Sequence, residues 1–215
     1  MMISKKYSAF FFDFDGVLAD SVEVKTRAFA KLFESHGQEI QALVVDHHRK
    51  NGGMTRVDKF YHYYREFLDK PLGLAELQRL CNDFSRLVVD EVVSAPEIPG
   101  AENFLKKWHN KAKCFVVSAT PDEEISQIVR RRRLEIYFRE ILGSFRSKQE
   151  NVRFLLEKYG FNPEKCFFFG DAESDYRAAM DCNVNFIGIV LGPDAPLLQV
   201  APEVKWVRNF VELII

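Results

Sequence analysis

The sequence predicts an α/β fold: a parallel sheet with helices on both faces and an all-helical segment inserted behind its first strand. Three observations carry this expectation. Short, continuous apolar runs recur along the chain, and each ends in polar or glycine-containing turn chemistry, the pattern of strands buried on both faces. Apolar residues at helical spacing fill the gaps between these runs. Between the first run and the second, residues 21–95 hold helical periodicity without a credible strand.

The first run, Ala9 to Phe12, ends in Asp13-Phe14-Asp15-Gly16. The inserted segment follows. Val22, Phe29, Leu32 and Phe33 mark one helix ending at Gly37, and Leu43 and Val44 begin another that stops at Asn51-Gly52-Gly53. Thr55 with Asp58 reads as a helix start ahead of Phe60, Tyr63, Tyr64 and Phe67, and a last helix runs near Leu74 to Val93. The chain returns through Pro96 to Gly100. Phe104, Leu105 and Trp108 then precede the second strand, Cys114 to Val117, which ends in Ser118. Ile125, Ile128 and Val129 lead to a short strand at Ile141-Leu142. Val152, Leu155, Leu156 and Tyr159 end at Gly160, before the runs Cys166 to Phe169 and Phe186 to Leu191. This alternation describes a Rossmann-like core in which polar residues at the carboxyl ends of the strands converge on one crevice.

The totals limit the partners. Thirty basic residues against 31 acidic ones leave no net field to attract nucleic acid or an anionic membrane surface, so a small substrate is expected. Four scattered cysteines without a C-x-x-C pair suit reduced thiols and a cytoplasmic protein. Lys5 and Lys6 before an apolar run could suggest a signal peptide, but Asp13 and Asp15 interrupt that run. No stretch reaches the roughly 18 apolar residues that a membrane span requires. The expected state is a monomer or weak dimer.

Certain residues carry chemistry. Asp13 and Asp15 share a side of the chain if the strand continues through them, and two carboxylates so placed can divide nucleophilic and proton-transfer work. Gly16 lets the backbone turn closely beside them. Ser118 and the amides after it, at a helix start, form a natural phosphate site, while Thr120 is expected to cap that helix with Pro121 at its first position. Lys148 opens the next helix and could neutralise a phosphoryl oxygen. Asp171, Glu173 and Asp175 stand together straight after a buried strand, oxygen ligands of the kind a hard cation takes.

Asp13 to Ser21, then Ser118, Lys148, and Gly170-Asp171 with Asp175, resemble the four ordered motifs of the haloacid dehalogenase superfamily. The helical insertion resembles the cap of its phosphoglycolate phosphatase and β-phosphoglucomutase branch. The resemblance implies a catalytic core of residues 1–20 and 96–215 and a helical cap of residues 21–95. It implies that Asp13 is the nucleophile and a magnesium ligand, and that Asp15 is the general acid and base whose carbonyl also meets the metal. It implies phosphoryl contacts from Ser118 and the Ala119 amide. It further implies a charge-neutralising Lys148, a direct magnesium ligand in Asp171, and support of the metal shell by Asp175. The expected reaction is magnesium-dependent hydrolysis of a small phosphorylated metabolite, a sugar phosphate or a phosphoglycolate-like compound, through an aspartyl-phosphate.

Retention of Asp15 favours phosphoryl chemistry over dehalogenation within this resemblance. The mutase branch commonly has a histidine where this chain has Lys25, which weakens the mutase alternative; a non-catalytic phosphate-binding scaffold is the third reading. In related caps a loop near Gly52 to Arg56 reads the substrate, so Arg56 and Lys25 are candidate substrate-binding residues. A solvated helix-start arginine is the equal alternative for Arg56. His47 and His48 read as a solvent-facing helix end, and Arg130 to Arg133 as a solvated surface.

Overall fold

The structure, a computed structural model, describes residues 7–214; residues 1–6, Lys5 and Lys6 among them, and residue 215 lie outside the described residues. The first strand, β1 (Ala9–Phe12), is wholly buried, which its unbroken apolar run anticipates. The insertion follows as α1 (Val22–Leu32), α2 (Gln38–Lys50), α3 (Arg56–His62) and α4 (Leu74–Ser94). After it come α5 (Ala101–Trp108), β2 (Lys113–Val117), α6 (Asp122–Arg131), β3 (Glu140–Leu142) and α7 (Lys148–Tyr159). The chain continues through β4 (Cys166–Gly170), α8 (Glu173–Asp181), β5 (Asn185–Ile189), α9 (Pro196–Val200) and β6 (Trp206–Val207).

The six strands lie in the order β3-β2-β1-β4-β5-β6, and each neighbouring pair is parallel. This is the doubly wound, Rossmann-like sheet that the alternation predicts. The central position of β1 places its carboxyl end between those of β2 and β4, so three strand ends feed one crevice. The two-residue β6 and the short α9 have no periodic signal in the sequence; pairing with β5 creates the strand. Alternation along β1 divides the phenylalanines between the faces. Phe10 and Phe12 join Phe169 on one side, whereas Phe11 joins Phe115 and Phe168 on the other. Each such buried ring contributes roughly 2–3 kcal/mol.

In the insertion, Leu80, Phe84, Val88 and Val92 recur at every fourth residue of α4 and bury one stripe. Phe84 packs on Phe29 of α1 with ring centroids 4.4 Å apart, and Phe60 and Tyr63 complete the cluster. Thr55 starts α3 as expected, its hydroxyl accepting from the Asp58 amide at 3.2 Å. Both crossings between insertion and sheet lie side by side: the Asp20 amide donates to the Pro96 carbonyl at 2.9 Å, and Ala19 bridges Glu97.

Two expectations about surface residues are corrected here. His48 is 3% exposed, because position 48 falls one helical turn after buried Val44 on the inner stripe of α2. His47 is half-buried and stacks on His62 at 4.0 Å. The arginine run is not simply a solvated surface either. Arg131 pairs with Asp90 of α4 at 2.7 Å. Arg132 donates to the carbonyls of Val92, Val93 and Ala95 at 2.9, 3.0 and 2.7 Å, satisfying the open C-terminus of α4.

Among the described residues all four cysteines are free, and no helix is long and apolar enough to cross a membrane.

Candidate active site

Asp13 directly follows β1, and its amide still donates to the Phe169 carbonyl of β4 at 3.0 Å, so the side chain inherits the strand's fixed direction. It is 5% exposed, and one carboxylate oxygen accepts from the Phe14 amide at 2.7 Å. Beyond it the chain turns at once. Gly16 adopts φ +76°, and a Cβ there would stand 2.3 Å from Asp171 Oδ2, so only glycine allows this loop to pass the second acidic strand end.

Lys148 is the first residue of α7, whose start is locked by reciprocal bonds between Ser147 and Glu150. That fixed start directs the lysine toward Asp13, just after β1, and Asp175 of α8. Its Nζ donates to Asp13 Oδ2 at 2.8 Å and to Asp175 Oδ1 at 2.6 Å. Burial opposes its charge, but Asp13 and Asp175 outweigh burial and hold the ammonium well above its usual range.

Asp175 is fully buried, and its other oxygen accepts from the Ala172 amide at 3.1 Å, so it also caps α8. Burial pushes its carboxyl up to about 7, with Asp13 adding to the effect and Lys148 opposing it. Gly170 makes room for it, since a Cβ there would meet the Asp175 Cβ at 2.2 Å. Asp171 is raised well above the carboxylate range by burial and then by the charges of Asp13 and Asp175. Among the described residues nothing donates a hydrogen bond to its side chain.

Asp13, Asp171 and Asp175 each bring a carboxylate oxygen to within 4.8 Å of the others. Such crowding without a matching cation is costly, and an undonated carboxylate facing two others is a natural place for a hard divalent ion. Magnesium therefore fits this donor set.

Asp15 faces a different set of partners. It is ion-paired with Lys25 of α1 and accepts from the Ser21 hydroxyl at 2.6 Å. Burial would raise its carboxyl, but Lys25, Ser21 and Lys148 bring it below its ordinary value. Lys25 also donates to Thr120 Oγ1 at 2.8 Å. The expectation that Thr120 caps α6 is thereby corrected. The helix begins at Asp122, so Pro121 takes the capping position, and the Thr120 hydroxyl lies against Lys25 and Asp15 instead.

Ser118 is buried at the end of β2, where its hydroxyl accepts from the Thr120 amide at 3.1 Å. A cleft is lined by Asp13, Asp15, Ser118, Ala119 and Asp171 from the core, and by Lys25, Gly52, Met54 and Arg56 from the insertion. Those two groups include the expected catalytic and substrate-binding residues except Lys148 and Asp175, which stand behind Asp13.

Arg56 is not a solvated helix start. It is 7% exposed, ion-paired with Glu124 of α6, and donates to Ser85 Oγ of α4 at 2.7 Å. Ser85 in turn donates to Glu124 at 2.6 Å. The arginine thus joins insertion to core while remaining part of the cleft lining, and its guanidinium carbon lies 4.6 Å from the Phe84 ring centroid.

Sequence reasoning missed Lys59 and His48, both of which line the same cleft. A signal was available. Lys59 lies three residues after Arg56 on a helix whose start was recognised, hence on the same face.

Residues 7–183 match the family described as haloacid dehalogenase-like hydrolase. The chain is 27% identical over 189 residues to the phosphorylated carbohydrates phosphatase of Thermotoga maritima, covering 85% of each. It is 25% identical over 201 residues to phosphoglycolate phosphatase 1 of Pseudomonas aeruginosa, covering 89% of this chain and 73% of that one. In fold it is similar to β-phosphoglucomutase from Clostridium difficile, with a TM-score of 0.78 at 21% identity over 97% of this chain and 93% of that chain. A phosphoglycolate phosphatase named as predicted, from Haemophilus somnus, gives 0.76 at 18% identity over 97% of both chains. With the acidic strand ends, the lysine behind them and a family match that spans most of its length, this chain belongs to the haloacid dehalogenase-like hydrolases.

Proposed function

We propose that the protein is a magnesium-dependent phosphatase that hydrolyses a small phosphorylated metabolite through an aspartyl-phosphate on Asp13. The observation that carries this reading is the Asp13 carboxylate, held at the carboxyl end of the central strand by Lys148 at 2.8 Å and opening into the cleft. Both sequence relatives named above are phosphatases, one of phosphorylated carbohydrates and one of phosphoglycolate. The mutase similarity is one of fold only, and Lys25 occupies the position where that branch commonly has a histidine, so the mutase alternative is not favoured.

Asp13 and Asp171, with Asp175 behind them, would hold magnesium, with the Asp15 carbonyl as the further ligand that the family resemblance implies. When bound, the ion neutralises the phosphoryl oxygens and the carboxylates facing them. Asp13 attacks phosphorus, the ester P–O bond breaks, and the leaving alkoxide takes a proton from Asp15. Ser118 and the Ala119 amide bind the phosphoryl oxygens during the transfer, and the hydrogen bond from Lys148 holds the Asp13 carboxylate in place. Asp15 then takes a proton from water as that water attacks phosphorus, which returns Asp13 and releases inorganic phosphate. Lys25 favours the carboxylate form of Asp15, the form this second half requires. The helical insertion, residues 21–95, acts as a cap that covers the cleft and excludes bulk water.

The test is phosphate release by the purified chain across a panel of sugar phosphates and phosphorylated acids, with and without magnesium, with isomerised phosphosugar quantified in the same samples. Magnesium-dependent release of phosphate supports the reading. Isomerisation that outruns release, or activity indifferent to magnesium, overturns it.

A further inference from the structure

Four cations stand at or behind the cleft, and three are matched by carboxylates. Lys148 serves Asp13 and Asp175, Lys25 serves Asp15, and Arg56 serves Glu124. Lys59 is different. It is 1% exposed, yet among the described residues no carboxylate lies within ion-pairing distance of its ammonium. Its hydrogen-bond partner is His48 Nδ1 at 2.7 Å, and the ring of Phe29 stands 5.4 Å from Nζ.

We infer that Lys59 binds a second anionic group, carried by the alcohol half of the substrate, and that the enzyme selects compact phosphomonoesters bearing a carboxylate or a second phosphate. This inference rests on the phosphatase reading and narrows it to a substrate class.

Three physical points support it. First, an unpaired buried ammonium is expensive, and a methionine would fill the same space without that cost. Burial, with Lys25 adding to it, pushes Lys59 down to about 7, and an arriving anion reverses that shift. Second, the lysine is oriented. Burial, reinforced by Lys59 itself, pushes His48 down to about 2, so the ring is neutral and its Nδ1 accepts from Lys59. An ammonium has three N–H donors, so this bond leaves donors for a ligand. Third, the insertion contributes Val22, Phe29, Met54 and Phe84 to the cleft lining beside its cations Lys25, Arg56 and Lys59, of which Lys59 is the one without a carboxylate partner among the described residues. The apolar side chains offer little hydrogen bonding to a polyhydroxylated sugar, whereas Lys59, whose charge no carboxylate matches among the described residues, favours an anion.

The experiment compares three esters of similar size with the full-length chain and magnesium: phosphoglycolate, ethylene glycol bisphosphate and ethyl phosphate. Steady-state kinetics are measured for wild type, Lys59→Met and Lys59→Gln. Wild type is expected to prefer at least one anionic ester over ethyl phosphate by about 10- to 100-fold in kcat/KM, the range of a charge-assisted hydrogen bond. Preference for phosphoglycolate identifies a carboxylate as the natural group, and preference for the bisphosphate identifies a phosphate. Either variant is expected to raise KM for the preferred ester by a similar factor while changing ethyl phosphate turnover less than about two-fold. Equal use of all three esters by wild type overturns the inference and leaves the phosphatase reading standing, as does a uniform loss on all three in both variants. Absence of phosphate release from every ester, when the wider panel is also inert, overturns the phosphatase reading and the inference with it. The wild-type preference needs no variant, so a variant that fails to fold still leaves a decisive measurement.

Discussion

The two walls of the cleft carry opposite charge. On the sheet side stand Asp13, Asp15, Asp171 and Asp175, and the core lysine Lys148 pairs with Asp13 and Asp175. On the insertion side, Lys25, Arg56 and Lys59 reach inward, and two of them take their carboxylate partners from the core. Each wall therefore has an imbalance that its own side chains do not cure. The acidic wall lacks a cation at Asp171, and the basic wall lacks an anion at Lys59. Such uncompensated groups are tolerated where a ligand supplies the missing charge, which under the proposed function assigns the chemistry to the sheet and selection among substrates to the insertion. Each expectation below treats the walls as separable in this way.

The largest effect falls on the sheet side. Asp13→Asn is expected to lower phosphate release by more than about 10^4-fold while preserving the fold, because the amide keeps the shape and removes the proposed nucleophile. Phosphate assays and circular dichroism on that variant check both halves, and residual turnover near wild type breaks the proposed division.

Metal dependence comes next. Asp171→Asn is expected to raise the magnesium concentration for half-maximal activity by at least about 10-fold, whereas Lys59→Met leaves it unchanged. A magnesium titration in which both variants shift together would mean that the two walls are not independent.

Arg56 tests the link between the walls. Arg56→Ala leaves Glu124 buried without its cation and is expected to cost about 3 kcal/mol in stability, measured by denaturant unfolding. The double replacement Arg56→Met with Glu124→Met should recover most of that loss, since neither charge is then stranded. A purely kinetic effect with unchanged stability would instead make Arg56 a substrate ligand in its own right.

The smallest expected effect has an unusual sign. Lys59 stands at about 7 in the folded chain and at 10.5 in the unfolded one. Between those values the unfolded chain holds a proton that the folded chain lacks, so this residue's contribution to stability falls as pH drops from 10.5 to about 7 and is level below. Lys59→Met should remove that slope and raise stability at neutral pH by on the order of 1–3 kcal/mol. Unfolding curves at several pH values decide it: a variant less stable than wild type throughout would show that Lys59 holds the insertion together.

The reason some of this was legible in sequence lies in how local the signals are. β1 announces itself because a strand buried on both faces must be apolar at every position, and its acidic exit is contiguous with it. Ser118, Lys148 and Asp171 sit at the first polar positions after strands or at a helix start, so each was found from its place in an element. β6 was not found, because two residues make a strand only through their neighbour. His48 was misjudged by its charged neighbours Arg49 and Lys50, although helical phase with Val44 decides its burial.

By itself the sequence determined the α/β class, the helical insertion and the order of the strands' polar exits, since all follow from periodicity and from residues adjacent to element ends. Tertiary structure decided the pairing of charges. A lysine or arginine carries no mark of its partner: Lys25 finds Asp15, Arg56 finds Glu124 across 68 positions of chain, and Lys59 finds no carboxylate among the described residues. That assignment depends on which helix faces which strand end and on how far water is excluded, and both are set only when the insertion packs over the sheet.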